Sequence, residues 1–277
     1  MKSIKLPSAV CVPALGQGTW NMGDHRAKRA QEIATLRRGI DLGLTLIDSA
    51  EMYGEGRAEQ LIAEAVAGCR NEVFIVSKVL PGNASRRGTV AACERSLKNL
   101  STDRIDLYLL HWRGSVPFAE TLEAFTALQR AGKIRHYGVS NLDLPDMQAW
   151  WKVAGGQAVA ANQLLYNLSR RGIEWDLLPW LRERRVPVMA YSPLEQARLV
   201  SNPKLAALAK ASGITPAQMA LAWLLAQDDV MVIPKCSSPA RVEENAAASD
   251  IQLTAEQLRE LDKIFPPPKG AHALEML

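Results

Sequence analysis

The sequence predicts an α/β protein: a (β/α)8 TIM barrel with an N-terminal hairpin at the barrel floor and extra C-terminal helices. Three observations carry this prediction. Short apolar runs alternate with helix-spaced segments in eight strand–helix units. The 277 residues are close to the length of one such barrel, so residues 1–277 are expected to form a single domain. Third, three successive apolar runs each close on an ionisable residue. They are Leu44-Thr45-Leu46-Ile47-Asp48, Val73-Phe74-Ile75-Val76-Ser77-Lys78 and Leu107-Tyr108-Leu109-Leu110-His111. A strand buried on both faces reads as continuously apolar. An ionisable group at its end is costly unless a partner or a task waits there. The shared place this implies is the rim at the carboxyl ends of the strands, where barrel enzymes keep their chemistry.

Along the chain, Ile4, Leu6, Val10 and Val12 around Pro7-Ser8 read as a hairpin that plugs the barrel floor. Residues 14–20 give the first strand and a glycine-rich exit, and Ile33, Leu36 and Ile40 set helical spacing over 31–42. Strand 44–48 leads to a helix at 58–67, strand 73–79 to 89–100, and strand 105–111 to 118–131. Strand 134–140 leads to 144–154, strand 159–166 to 175–184, strand 187–192 to 215–227, and strand 230–234 to 239–247. A last helix at 254–265 opens on Thr254-Ala255-Glu256-Gln257, close to a capping box, and stops before Pro266-Pro267-Pro268. No repeat beyond the βα alternation, low-complexity segment or interdomain linker is visible.

Composition removes several function classes. Hydrophobic residues make up 48% and charged residues 22%, ordinary values for a globular protein. The net charge is only +4, and basic clusters such as Arg182-Glu183-Arg184-Arg185 are mixed with acids, so a solvated helix face is preferred to a nucleic-acid stripe. Cys11, Cys69, Cys93 and Cys236 are far apart, which argues against structural zinc and against a disulfide framework. Reduced thiols fit a cytoplasmic protein. No apolar run approaches the roughly 20 residues of a membrane span, and the N-terminus lacks a signal-peptide core.

The rim residues suggest a reaction. After Asp48 come Ser49-Ala50-Glu51-Met52-Tyr53-Gly54, so one loop offers a carboxylate and a phenol. A nearby Lys78 cation is expected to lower the phenol pKa from its usual value near 10, with Asp48 keeping the lysine charged and aimed. His111 adds a donor that polarises a carbonyl oxygen. Together they make a proton-donating site for a carbonyl becoming an alcohol. Each residue also has a plainer role: Asp48 as a turn residue, Lys78 snorkelling to the rim, His111 as a satisfied core histidine, Tyr53 as a surface loop residue. Their succession on neighbouring strand ends argues against a joint accident. A further feature lies near residue 235. Ser237-Ser238-Pro239 opens a helix, yet Lys235 and Arg241 put cations at its positive end. An anion site explains this, and so does ordinary surface basicity beside Glu243 and Glu244; the residues alone do not separate the two.

The motifs Gly16-Gln17-Gly18-Thr19-Trp20, Leu46 to Gly54 (Leu-Ile-Asp-Ser-Ala-Glu-Met-Tyr-Gly), Ser77-Lys78, Leu109-Leu110-His111-Trp112, Gly138-Val139-Ser140-Asn141, Tyr191-Ser192-Pro193-Leu194 and Ile233-Pro234-Lys235 occur in this order. With them the chain resembles the aldo-keto reductase family nearly end to end, and is similar to its bacterial subgroup that reduces methylglyoxal and small aldehydes. The resemblance implies a catalytic tetrad of Asp48, Tyr53, Lys78 and His111, with Tyr53 as proton donor and no metal. It implies NADPH (NADP+) as cofactor. Gly18, Thr19, Trp20 and Asp48 would contact it. Lys235, Ser238 and Arg241 would hold its 2′-phosphate, and Glu244 and Asn245 its adenine. Ser140, Asn141 and Gln163 would hold the carboxamide, Tyr191 would stack on the nicotinamide, and Ser192 and Leu194 would line the pyrophosphate. Cys236 stands where many members have serine, which puts one phosphate contact in doubt.

Trp20 and Trp112, with Tyr53 and His111, are expected to wall the substrate pocket. Trp175, Trp150 and Trp151 are expected to serve packing. The loops after the fourth and seventh strands look short, which implies an open pocket for small aldehydes and α-oxoaldehydes, with residues 269–277 folding over it. The expected enzyme is a monomer that takes a small carbonyl substrate, with no nucleic acid or membrane partner. Two competitors remain: a Schiff-base aldolase built on Lys78, and a non-catalytic NADP(H)-binding sensor on the same fold.

Overall fold

The computed structural model describes residues 2–277. Its first elements, β1 (Ser3–Lys5) and β2 (Cys11–Pro13), pair antiparallel with Ile4 opposite Val12. Ile4, Leu6 and Val12 are buried in one cluster with Leu46, Val76, Leu107, Met189 and Met231, which point into the barrel. The hairpin therefore supplies the bottom layer of the barrel interior through Ile4, Leu6 and Val12, whereas Val10, also expected in the plug, stays exposed at the turn.

Eight parallel strands follow; the first six each lead into one major helix and the last two into two each. They are β3 (Gln17–Gly18) with α1 (Arg29–Asp41), β4 (Leu46–Asp48) with α2 (Arg57–Ala65), and β5 (Phe74–Val79) with α3 (Arg86–Asn99). Next come β6 (Ile105–Leu110) with α4 (Phe118–Arg130), β7 (Ile134–Ser140) with α5 (Leu144–Lys152), and β8 (Asn162–Leu165) with α6 (Leu177–Glu183). Then β9 (Val188–Tyr191) precedes both α7 (Pro203–Ala211) and α8 (Pro216–Leu225), and β10 (Val230–Val232) precedes α9 (Pro239–Ala247) and α10 (Ala255–Ile264). The strands lie in the order β3 to β10. Parallel bridges Leu15–Val232 and Gly18–Lys235 join the last strand to the first and close the barrel. Gly18 is required there: a Cβ would sit 2.8 Å from the Ile233 carbonyl oxygen.

Local chemistry sets the helix starts. Ser85 and Asp143 cap α3 and α5 through their side chains, and Thr215 with Gln218 and Thr254 with Gln257 form complete capping boxes on α8 and α10. Two expectations need correction. The extra helix α7 breaks the one-helix-per-strand alternation; Asn202 caps it by accepting from the Lys204 and Leu205 amides, and Pro203 takes its first position. Trp175 does not pack in the core. It precedes α6, whose inward positions are filled by Leu177, Leu178 and Leu181, and half of it (50%) stays exposed. Trp150 of α5 is fully buried against Phe118 and Phe125 of α4, and Trp151 packs edge-on against Trp180. No helix among the described residues is long and apolar enough to cross a membrane.

Candidate active site

Strand register brings the strand-end residues together. Asp48 ends β4 and Lys78 lies near the end of the neighbouring β5, and both are buried. The Lys78 Nζ donates to Asp48 Oδ2 at 2.9 Å, to the Ser49 carbonyl at 2.7 Å and contacts the Tyr53 hydroxyl at 3.3 Å. Three partners match the three N–H groups of an ammonium. Asp48 Oδ1 also accepts from Gln163 Nε2 at 2.7 Å, which ties the carboxylate across the barrel to β8. His111 follows β6 directly, and its ring meets the Tyr53 ring edge-on at 5.9 Å between centroids. The phenol, ammonium, carboxylate and imidazole thus meet at one barrel mouth.

Tyr53 sits on an irregular loop. Gly54, Glu55 and Gly56 all have positive φ, at 56°, 56° and 88°. Glycine adopts this region freely, but Glu55 does so at a cost of roughly 1–2 kcal/mol. The turn is held by its surroundings, since a Cβ on Gly54 would lie 2.7 Å from Asp24 Oδ1. This is local strain at the place where the phenol must be aimed.

The electrostatics correct one expectation. Lys78 was expected to lower the Tyr53 pKa. Instead burial of the hydroxyl, and after it the Asp48 charge, hold the phenol well above its usual value. A phenolate here would be stripped of water and would face a carboxylate, so Tyr53 stays an O–H acid. Burial lowers the Lys78 pKa, while Asp48 opposes that shift. Burial, with the Lys78 charge adding to it, pushes His111 down to about 2. The imidazole is therefore neutral and carries one N–H; its Nδ1 is buried without a partner.

A cavity of about 820 Å³ runs from this cluster across the barrel mouth. Trp20, Met52, Tyr53, His111 and Trp112 line one end. Ser140, Asn141, Gln163 and Tyr191 line the middle, where the Tyr191 hydroxyl donates to Asn141 Oδ1 at 3.0 Å and Asn141 Nδ2 donates to the His111 carbonyl at 3.1 Å. Gly18, Thr19, Asp48, Ser192 and Leu194 also reach the cavity wall. Lys235, Arg241, Glu244 and Asn245 form the far end. Two expected residues do not line it. Lys78 lies buried behind Tyr53, and Ser238 is the N-cap of α9, where its side chain makes no capping bond.

The far end suits an anion. Glu243 pairs with Arg38 at 2.7 Å, and Glu244 accepts from the Thr215 hydroxyl at 2.6 Å. Glu243 is thus paired to a cation elsewhere, whereas Glu244 keeps its charge and is held by a hydroxyl. Lys235 and Arg241 are left exposed beside the N-terminal end of α9, where the helix dipole favours negative charge. The half-buried Cys236 lies between them and Asn245, and burial raises its thiol pKa.

The wall also contains residues that sequence reasoning missed. The connection after β9 was expected to be short. Instead residues 192–215 separate β9 from α8, and Pro193, Gln196, Ala197 and Val200 from this stretch line the cavity, with Thr215, Pro216 and Ala217 at the start of α8. Ser192, Glu195, Gln196 and Ala197 are left-handed, a conformation that no hydrophobic period announces. Met276 and Leu277 of the tail also reach the cavity, and Glu275 pairs with Arg170.

The aldo/keto reductase family model matches residues 14–265. Over 281 residues the chain is 50% identical to methylglyoxal reductase YeaE of Escherichia coli K12, which covers 100% of this chain and 99% of that protein. It is 30% identical over 262 residues to glyoxal reductase of Bacillus subtilis strain 168, covering 95% of this chain and 92% of that one. Among solved structures, an aldo/keto reductase from Klebsiella pneumoniae in complex with NADP and acetate is 50% identical with a TM-score of 0.97, over 100% of this chain and 99% of that one.

Proposed function

The chain belongs to the aldo/keto reductase family, and on that premise we propose that it reduces small aldehydes and α-oxoaldehydes of the methylglyoxal type, with NADPH as reductant and Tyr53 as proton donor. Residues 1–277 act as one barrel domain in this reading. The observation that carries it is the 3.3 Å contact between the Tyr53 hydroxyl and a fully buried Lys78 ammonium that is itself paired to Asp48.

NADPH, when bound, supplies hydride to the carbonyl carbon. The protein's part is to hold and move one proton. The Tyr53 O–H donates to the carbonyl oxygen, and the Lys78 N–H aimed at the phenol oxygen stabilises the charge left on it. Asp48 keeps Lys78 in place. The neutral His111 offers its single N–H to orient the carbonyl oxygen. Lys235 and Arg241 fit the 2′-phosphate. Ser140, Asn141 and Gln163 fit the carboxamide, and the Tyr191 ring offers a flat face to the nicotinamide.

The rim of the substrate end is largely apolar. Trp20, Met52, Met276 and Leu277 keep 45%, 42%, 48% and 52% of their surface exposed, and all four rim the cavity. Clustered exposed apolar side chains mark a binding surface. They favour neutral carbonyl compounds with an apolar substituent over carboxylated or phosphorylated ones. A panel of phenylglyoxal, methylglyoxal, benzaldehyde and glyoxylate with NADPH tests this. Consumption with the first three and little with glyoxylate is expected; no consumption with any aldehyde would sink the reading. A Schiff base on Lys78 is disfavoured because its Nζ is off the cavity wall and bonded to three groups. Borohydride treatment with substrate is accordingly expected to leave no adduct.

A further inference from the structure

We infer that Glu51 is a positioning residue for proton delivery: its carboxylate locks the loop that carries Tyr53 to the neighbouring strand–helix unit that carries Lys78. The inference rests on the reading of Tyr53 as proton donor.

The contact between Tyr53 and Lys78 spans two separate units of the barrel. Tyr53 belongs to the loop between β4 and α2, and Lys78 to β5. Beyond Asp48 the Ser49 N–H still donates to the Val76 carbonyl at 2.9 Å, but regular strand pairing stops there, so the segment that reaches Tyr53 needs a further tie. The three left-handed residues after Tyr53 give no regular helical restraint on that side. Glu51 spans the gap with both main chain and side chain. Its N–H donates to the Lys78 carbonyl at 3.3 Å, at the residue whose ammonium meets the phenol. Its Oε1 accepts from the Leu80 N–H at 2.7 Å and from Asn83 Nδ2 at 3.0 Å, and its Oε2 accepts from Arg95 Nη2 at 3.0 Å. These partners lie after β5 and on α3.

No other side chain between residues 49 and 56 except Tyr53 itself makes such a cross-unit bond. Ser49 Oγ has no partner, and Glu55 pairs with Arg57 of its own unit at 3.7 Å. The Glu51 side chain is only 9% exposed, and it does not line the cavity. It therefore cannot touch substrate, and nothing about its burial requires a charge except the donors it collects. A carboxylate with charge-assisted bonds to a backbone amide, an amide side chain and a guanidinium is a stiff tie. A displacement of about 1 Å in a proton donor is enough to cost about a hundredfold in rate.

The test compares wild type, Glu51→Ala, Glu51→Gln and Tyr53→Phe. For each, kcat and KM with phenylglyoxal, the NADPH Kd and the solvent deuterium isotope effect on kcat are measured. For Glu51→Ala the expected result is a kcat lower by about ten- to a hundredfold, an NADPH Kd within about twofold of wild type, and a larger solvent isotope effect. A merely structural role would not raise that isotope effect. Glu51→Gln keeps an oxygen for Leu80 and Asn83 and is expected to recover most of kcat.

Wild-type kcat and isotope effect in Glu51→Ala would overturn the inference. So would a fall in kcat matched by NADPH affinity with no change in isotope effect. If Glu51→Ala does not fold, Asn83→Ala removes one Oε1 donor, and a severalfold loss of kcat with the same isotope signature is expected; unchanged kcat there overturns the inference instead. Full turnover by Tyr53→Phe would defeat the proton-donor reading itself, whereas an inactive Tyr53→Phe beside a normal Glu51→Ala would defeat only the role of Glu51.

Discussion

The two ends of the cavity are built on opposite plans. At one end Asp48 and Lys78 are buried and every Lys78 donor is engaged within the protein. At the other, Lys235 and Arg241 are exposed, and the nearby acids are engaged by Arg38 and Thr215. The difference follows from solvation. A buried charge costs several kcal/mol unless its partner is in place, so the proton-handling groups must be assembled by folding. A rim cation keeps its water until an anion arrives, so it can wait for a ligand. One end is set by the fold and should respond to mutation through stability and kcat. The other should respond through cofactor affinity.

The strongest way to break this contrast is Lys78→Met. It would leave the Asp48 carboxylate buried without its ion, and the expected cost is about 3–5 kcal/mol of stability together with loss of turnover. Denaturant unfolding and NADPH consumption measure the two. Arg241→Ala should do the reverse: NADPH Kd is expected to rise by about 10–100-fold, corresponding to a charge-assisted contact of about 1.5–3 kcal/mol, with kcat at saturation kept and stability within about 0.5 kcal/mol. A stability loss like that of Lys78→Met would erase the distinction between the ends.

A pH experiment sharpens the contrast further. His111 is held at about 2 in the folded protein and lies near 6.5 when unfolded. Above about pH 6.5 neither state takes the proton, and the imidazole contributes no pH dependence. Below it the unfolded chain binds a proton that the folded one refuses. Stability is then lost as pH falls from 6.5 toward 2, at up to about 1.4 kcal/mol per pH unit. His111→Gln should flatten that share of the slope in denaturant unfolding between about pH 7 and 5. The smallest effect belongs to the rim. Trp20→Ala is expected to raise KM for phenylglyoxal severalfold, about 1 kcal/mol of apolar contact, and to leave KM for methylglyoxal nearly unchanged.

The sequence made the folded end easier to read than the waiting end. Asp48, Lys78 and His111 stood out because strands buried on both faces are apolar and their last residues are not. Lys235 and Arg241 were ambiguous because their nearest acids were visible in sequence. What engages those acids, Arg38 for Glu243 and Thr215 for Glu244, comes from elsewhere in the chain. The stretch after Tyr191 was misread because its left-handed Glu195, Gln196 and Ala197 follow no period. The signal for α7, Asn202-Pro203, was present, but regular alternation left no place for a second helix. The direction of the Tyr53 shift was missed for a different reason. Charges can be paired on paper from sequence, whereas desolvation depends on how deeply the hydroxyl lies.

The central claim is that proton delivery resides in the Tyr53 hydroxyl and is separable from cofactor capture at Lys235 and Arg241. Tyr53→Phe tests it most directly, by NADPH consumption with phenylglyoxal and NADPH Kd on the same preparation. The account predicts a turnover lower by about 10²–10⁴-fold with NADPH affinity within about twofold of wild type. Turnover close to wild type, or a loss that follows NADPH affinity alone, would contradict it.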